Sequence, residues 1–388
     1  FWIINFGWKI FGINEWWPRV IAPLFGLACL SLSSLICNRL WPRSQAYFIV
    51  PIILLGTFYW GIYTTLTMFD LIITFWTLVG INGLIDIWSS HKYRGWILFT
   101  LAISFGVLTK GPVILVYLLP SALLAPFWIT NKENPNWIRW YLLVLASVCT
   151  ATAIALAWAI PAGIAGGEEY QTAIFWGQSA GRIVTSFAHR EPFWWYLAII
   201  PILLMPWLLW PSLIRKLWLN VFNKKEKKQK DPGLRLMLIW ATSTVVILSC
   251  ISGKQPHYLL PMFPALAIAV AVLISNLTKK DFILGHWDVL PYAVLLFLSG
   301  TIVLCAPEIG YFMNFPELSG GINRWWALPP IGFGAIMLIQ PPNQGYRRVL
   351  IISMVSPVLI FTLFGTLKPV MTKKYDLRPI SIYLSKMQ

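Results

Sequence analysis

The stretch Trp140–Ile160, WYLLVLASVCTATAIALAWAI, runs for 21 residues without a charged side chain. A hydrocarbon core about 30 Å thick is crossed by roughly 20 residues of helix, so this segment is long enough to span a bilayer. It lacks the strict alternation of a lipid-facing β-strand, and backbone polar groups in lipid must then be satisfied within a helix. Reading outward, eleven more runs have the same character: Pro18–Cys37, Tyr47–Ile62, Asp70–Trp88, Trp96–Leu108, Pro112–Trp128, Phe193–Trp210, Leu236–Ile251, Tyr258–Leu277, Val289–Cys305, Trp326–Ile339 and Val349–Leu367. An incomplete run precedes them. Composition agrees, with 58% hydrophobic and 11% charged residues, where a soluble chain carries roughly a quarter of its residues as charges. The expected fold is all-α, a polytopic transmembrane helical bundle of about 12–13 membrane segments. Residues 1–367 are expected to form the transmembrane domain, and 368–388 to open a C-terminal extracytoplasmic segment.

Alternating these segments gathers Arg39, Arg43, Lys92, Arg94, Lys132, Arg139, Arg215, Lys216, the Lys224–Lys230 run, Arg235, Lys279, Lys280, Arg347 and Arg348 on one side. The positive-inside rule makes that side cytoplasmic. Orientation thereby accounts for most of the net charge of +16, and no nucleic-acid partner is implied by the basic Asn223–Lys230 loop. The five cysteines, Cys29, Cys37, Cys149, Cys250 and Cys305, lie in or at the ends of apolar segments without paired spacing, and read as packing residues.

The opposite side is poor in Lys and Arg, which makes its few cations conspicuous. Lys110, Arg182, Arg190 and Lys254 sit at the ends of different segments. Each alone could snorkel to lipid headgroups; four together suggest a phosphate held at the membrane surface, a target suited to guanidinium and ammonium groups. Lys110 lies in the tight break Thr109-Lys-Gly-Pro112, and Lys254 in a similar one, Ser252-Gly-Lys-Gln-Pro-His-Tyr258. Pro161–Pro192 reads as a long loop, where function concentrates on a helical scaffold. Within it, His189 is a metal ligand, a proton shuttle or a polar interface residue. Asp70 either caps its helix or orients one of the cations.

Four stretches carry a family likeness: Phe105-Gly-Val-Leu-Thr-Lys-Gly-Pro112, Phe175-Trp176 followed by Arg182, Ala188-His-Arg-Glu-Pro-Phe-Trp-Trp-Tyr196, and Ser252-Gly-Lys-Gln-Pro-His-Tyr-Leu-Leu-Pro261. In this order they resemble the aminoarabinose transferase and protein O-mannosyltransferase-like membrane glycosyltransferases, and Phe11–Arg19 is also similar to a segment of that family. The resemblance implies the type C glycosyltransferase fold, with a site on the extracytoplasmic face of the cell inner (plasma) membrane. It implies a polyprenyl-phosphate-linked sugar as donor and a lipid, glycan or protein as acceptor. Lys110, Arg182, Arg190, Lys254 and Tyr258 would then surround the donor phosphate, with Asp70 as a further acidic candidate, and His189 would match a histidine that shares a zinc ion with a loop glutamate. The chain begins at Phe1 without an initiator Met or signal peptide, and reads as cut from something longer. The family's first helix and first extracytoplasmic loop, with its acidic base, are expected upstream of Phe1, so the fragment is expected to bind donor lipid better than it turns it over. A transporter or flippase of lipid-linked sugars is the alternative, and would instead place ionisable groups at mid-membrane and show internal repeats.

Overall fold

The computed structural model describes residues 2–89, 91–129, 135–175, 191–222, 231–276, 285–314, 322–341 and 345–375. Among them every regular element is a helix. In chain order these are α1 (Trp2–Phe11), α2 (Trp16–Leu40), α3 (Ala46–Gly56), α4 (Phe58–Thr65), α5 (Asp70–Trp88), α6 (Lys92–Lys110), α7 (Ile114–Leu123), α8 (Ala125–Trp128) and α9 (Trp137–Thr172). They continue with α10 (Trp195–Leu203), α11 (Pro211–Phe222), α12 (Pro232–Cys250), α13 (Phe263–Ser275), α14 (Leu290–Phe312), α15 (Leu328–Ile339), α16 (Gly345–Ser353) and α17 (Val355–Tyr375). Two units divide the chain: Phe1–Leu55, Ile62–Leu203 and Asn220–Asn276 form the first, and Gly56–Gly61, Leu204–Leu219 and Leu277–Gln388 the second.

The first unit is built around α5, which buries 15 of its 19 residues, as a helix apolar on all sides must. α6 returns against it at close range. A Cβ built on Gly83 would stand 2.8 Å from the Gly95 carbonyl oxygen, and one built on Gly95 2.6 Å from that of Gly83. Small residues of this kind let membrane helices approach backbone to backbone. α6 stops at Gly111, whose φ of 73° and ψ of −163° belong almost exclusively to glycine, and Pro112 has no N–H with which to continue the ladder. The chain then reverses. A Cβ on Gly106 would lie 2.4 Å from Ile114 Cγ1, although eight positions of straight helix span about 12 Å. Trp128 comes back beside Trp88, with ring centroids 6.0 Å apart. The continuous helical run Lys92–Leu123 is therefore two passes folded at Lys110–Pro112, as the segments Trp96–Leu108 and Pro112–Trp128 led one to expect.

One end of this unit is tied together by its basic residues. Arg39 donates to Asn82 and Asp86, and Arg94 Nε lies 3.4 Å from Asp86 Oδ2. Trp41 Nε1 donates to Asp231 (2.6 Å) and Arg235 to the Phe127 carbonyl (3.0 Å). Asp231 also caps α12, accepting from Gly233 N and Leu234 N ahead of Pro232. Asp70 and Asp86 are sixteen residues apart on α5, about 24 Å along its axis, so Asp70 marks the opposite end.

In the second unit, Asp288 accepts from the backbone N–H (2.9 Å) and hydroxyl (2.8 Å) of Ser212 and pairs with Arg348. All three residues are buried. This joins the starts of α11 and α14 to α16. Ser356 Oγ donates to the Gly56 carbonyl (2.6 Å) and Trp207 Nε1 to Thr57 Oγ1 (3.0 Å).

Eight helices among the described residues are long and apolar enough to cross a membrane, or nine if α3 and α4, bent by 68° at their junction, form one broken span. That is fewer than the twelve runs legible in the sequence. The reversal at Gly111 merges two of those runs, and proline-containing segments such as α10 and α15 fall short of a full crossing by length. Two boundaries also move. α9 continues through Pro161 to Thr172, with Gly167 at φ 80° marking a break, so part of the expected Pro161–Pro192 loop is helix; proline is tolerated in membrane helices because neighbours re-satisfy the freed carbonyl. α17 runs past Leu367 to Tyr375.

Candidate functional site

Asp70 opens α5 without capping it, since the cap position belongs to Phe69 and no side-chain cap bond is made there. Its carboxylate instead receives the ammonium of Lys110, from the last turn of α6, at 2.6 Å. Of the two readings of Asp70, the geometry is that of a group orienting a cation. The Asp70 side chain is 4% exposed and that of Lys110 21%, so the positive end of the pair is the accessible one. Lys110 Nζ also lies 4.9 Å from the ring centroid of Tyr258, within cation–π range.

Tyr258 belongs to the 3-10 segment Pro256–Met262 that leads into α13, and this segment is pinned from two sides. The Tyr117 hydroxyl on α7 donates to the Tyr258 carbonyl at 2.9 Å. The Tyr196 hydroxyl on α10 donates to the Gln255 carbonyl at 3.1 Å and accepts from Gln255 N at 3.3 Å. His257 stacks edge-on to Tyr258, with centroids 4.6 Å apart, and lies 6.1 Å from the ring of Tyr63. Lys254 is buried at 4% exposure. Its ammonium donates to the carbonyls of Glu191 (2.9 Å) and Ile251 (2.7 Å).

Asp70, Lys110, Lys254 and Tyr258 are thus gathered at one end of the first unit, opposite the Arg39–Asp86 end. Arg182, His189 and Arg190 lie outside the described residues, as does Trp176. Sequence reasoning passed over Tyr117 and Tyr63. Tyr117 sits in a wholly apolar run, and only the tertiary structure shows that its hydroxyl reaches a carbonyl on another element. Tyr196 closes the Ala188–Tyr196 motif, so its signal was present and unused. No group of three His, Cys, Asp or Glu among the described residues could hold a metal ion. Those residues supply no donor set for zinc.

The Lys110–Asp70 pair carries no net charge, so an anion is not drawn to it by long-range attraction alone. What it offers is direction: an ammonium fixed by a buried carboxylate and held over an aromatic face at a helix end.

The helices and their order give the chain the polytopic fold of the type C glycosyltransferases. Two solved structures share it: ArnT from Cupriavidus metallidurans bound to undecaprenyl phosphate, with a TM-score of 0.72 and 18% identity over 95% of this chain and 66% of that one, and the same protein in the apo state, with a TM-score of 0.69. Among curated proteins the chain is similar to the undecaprenyl phosphate-alpha-4-amino-4-deoxy-L-arabinose arabinosyl transferase of Erwinia tasmaniensis, 28% identical over 286 residues, covering 70% of this chain and 48% of that protein. The corresponding transferase of Photorhabdus laumondii is 28% identical over 349 residues, covering 86% of this chain and 59% of its own length. The chain spans about half the length of the curated relatives it matches. No family model matches it. The resemblance read from the four motifs agrees with these relatives, and the chain is a multi-pass membrane protein.

Proposed function

We propose that the chain is part of a membrane glycosyltransferase of the inner (plasma) membrane. It would move a sugar from a polyprenyl-phosphate-linked donor to a lipid, glycan or protein acceptor on the extracytoplasmic face. The observation that carries this reading is the Lys110 ammonium, oriented by buried Asp70 and set against Tyr258, at the end of the unit opposite its basic side. The similarity to aminoarabinosyl transferases and to a structure bound to undecaprenyl phosphate supports it.

In this reading the acceptor's nucleophilic oxygen bonds to the sugar's anomeric carbon, giving up any proton it carries to a base, while the bond from that carbon to the phosphate oxygen breaks and its electron pair leaves on the phosphate. Fixed cations meet that developing charge, which is electrostatic stabilisation at the departing oxygen. Lys110 is placed to do so, with Tyr258 beside it. Arg182 and Arg190 would add the net positive charge that the Lys110–Asp70 pair lacks. Asp70 is committed to Lys110, so we assign it orientation of the cation. His189 would be the zinc ligand that this chain supplies.

Binding of undecaprenyl phosphate to the detergent-purified protein tests the reading. Lys110→Ala is expected to weaken binding by roughly 1–3 kcal/mol, the worth of one charge-assisted contact. Equal binding by wild type and variant would make Lys110 an interfacial lysine and remove the physical support for a phosphate site. Transfer of a labelled sugar to an acceptor, against its translocation while still on the lipid, separates the transferase from a flippase.

A further inference from the structure

We infer that Lys254 is a positioning residue, a buried staple that holds the Tyr258 segment against the chain at Glu191, and that its ammonium does not touch the donor phosphate. The inference rests on the phosphate-site reading above but alters the role of one of its cations.

Three observations carry it. First, Lys254 is 4% exposed, whereas Lys110 keeps 21% of its side chain accessible. Second, two of the three ammonium donors are used on backbone carbonyls, at 2.9 Å to Glu191 and 2.7 Å to Ile251. Ile251 is the C-cap of α12, at the helix end where carbonyls lack intrahelical partners and where cations are favoured. Third, the next residue repeats the connection: Gln255 exchanges two hydrogen bonds with Tyr196. Lys254 and Gln255 together stitch residues 191–196 to residues 251–255. Three positions further on stands Tyr258, whose carbonyl is fixed by Tyr117 and whose ring faces Lys110. The position of Tyr258 thus depends on the stitch, and the ammonium serves as a hydrogen-bond donor more than as a charge.

That distinction can be measured. Lys254→Met removes both charge and donors, while Lys254→Gln removes the charge and keeps two N–H donors. The full chain in detergent is titrated with undecaprenyl phosphate, and amide hydrogen exchange is followed in peptides covering 191–197 and 251–258. For a staple, Lys254→Met weakens binding about tenfold and speeds exchange in both peptides, while Lys254→Gln recovers most of the affinity and the protection. Equal loss of affinity in both variants with exchange unchanged would identify a direct phosphate contact and overturn the inference. Unchanged exchange and unchanged affinity would overturn it as well. The exchange measurement reads the staple even if wild type binds no undecaprenyl phosphate, so a failed functional reading and a failed staple are separable.

Discussion

At the scale of single residues, charges in this protein act in pairs whose partners decide what each is worth. Lys110 and Asp70 make an oriented, neutral unit whose ammonium is partly accessible, whereas Asp288 and Arg348 make a unit sealed from solvent. Removing Asp70 has two opposing effects on an arriving phosphate: the ammonium loses its guide, and a repelling carboxylate disappears. Asp70→Asn is therefore expected to weaken undecaprenyl phosphate binding less than Lys110→Ala does, in the same titration. Asp288→Ala breaks a buried ion pair and is expected to cost about 3–5 kcal/mol, while Asp288→Leu combined with Arg348→Met, which removes both charges, should recover most of it. Unfolding of the purified protein in detergent compares the two; equal destabilisation would show that Ser212 and local packing, and not the broken ion pair, set the cost.

At the scale of elements, two glycines of the first unit have distinct tasks. Gly83 permits contact between α5 and α6, since any Cβ there would meet the Gly95 carbonyl at 2.8 Å. Gly111 permits a turn, since a Cβ there would meet nothing within 4 Å and the constraint lies wholly in its backbone angles. Gly83→Ala is expected to lower stability by roughly 1–3 kcal/mol through overpacking, with little change in phosphate affinity for the folded fraction. Gly111→Ala carries a backbone strain of about 1–3 kcal/mol, but it also moves the neighbouring Lys110, so it should weaken undecaprenyl phosphate binding. Thermal unfolding and binding measured on the same samples separate the two. A Gly111→Ala protein that binds like wild type would show that the turn does not set the position of Lys110.

At the scale of the whole molecule, the distribution of charge predicts which end faces the cytoplasm. Arg43 and Arg139 are exposed residues near one end of the first unit, and Glu168 and Glu191 are exposed near the other. Single cysteines at these four positions, in a chain with its native cysteines replaced by alanine, should divide cleanly with a membrane-impermeant thiol reagent. Positions 168 and 191 should label in intact spheroplasts, and 43 and 139 only after lysis. The reverse pattern would place the Lys110 site on the cytoplasmic face and exclude a donor presented from outside.

Helicity, membrane residence and the gathering of basic residues at one end of the first unit were legible in the sequence, because each depends on sums over many residues: apolar length against bilayer thickness, and cation counts between segments. The breaks at Lys110 and Lys254 were legible too, since glycine and proline leave a local mark. The sequence by itself could not separate the roles of those two lysines. Both are cations in short breaks on the same side, and composition around them is alike. Only the tertiary structure brings Asp70, forty residues away in the chain, to Lys110, and the Glu191 carbonyl to Lys254. A lysine's role is set by the acceptors within about 3 Å of its nitrogen, and those come from elements whose proximity is decided by packing.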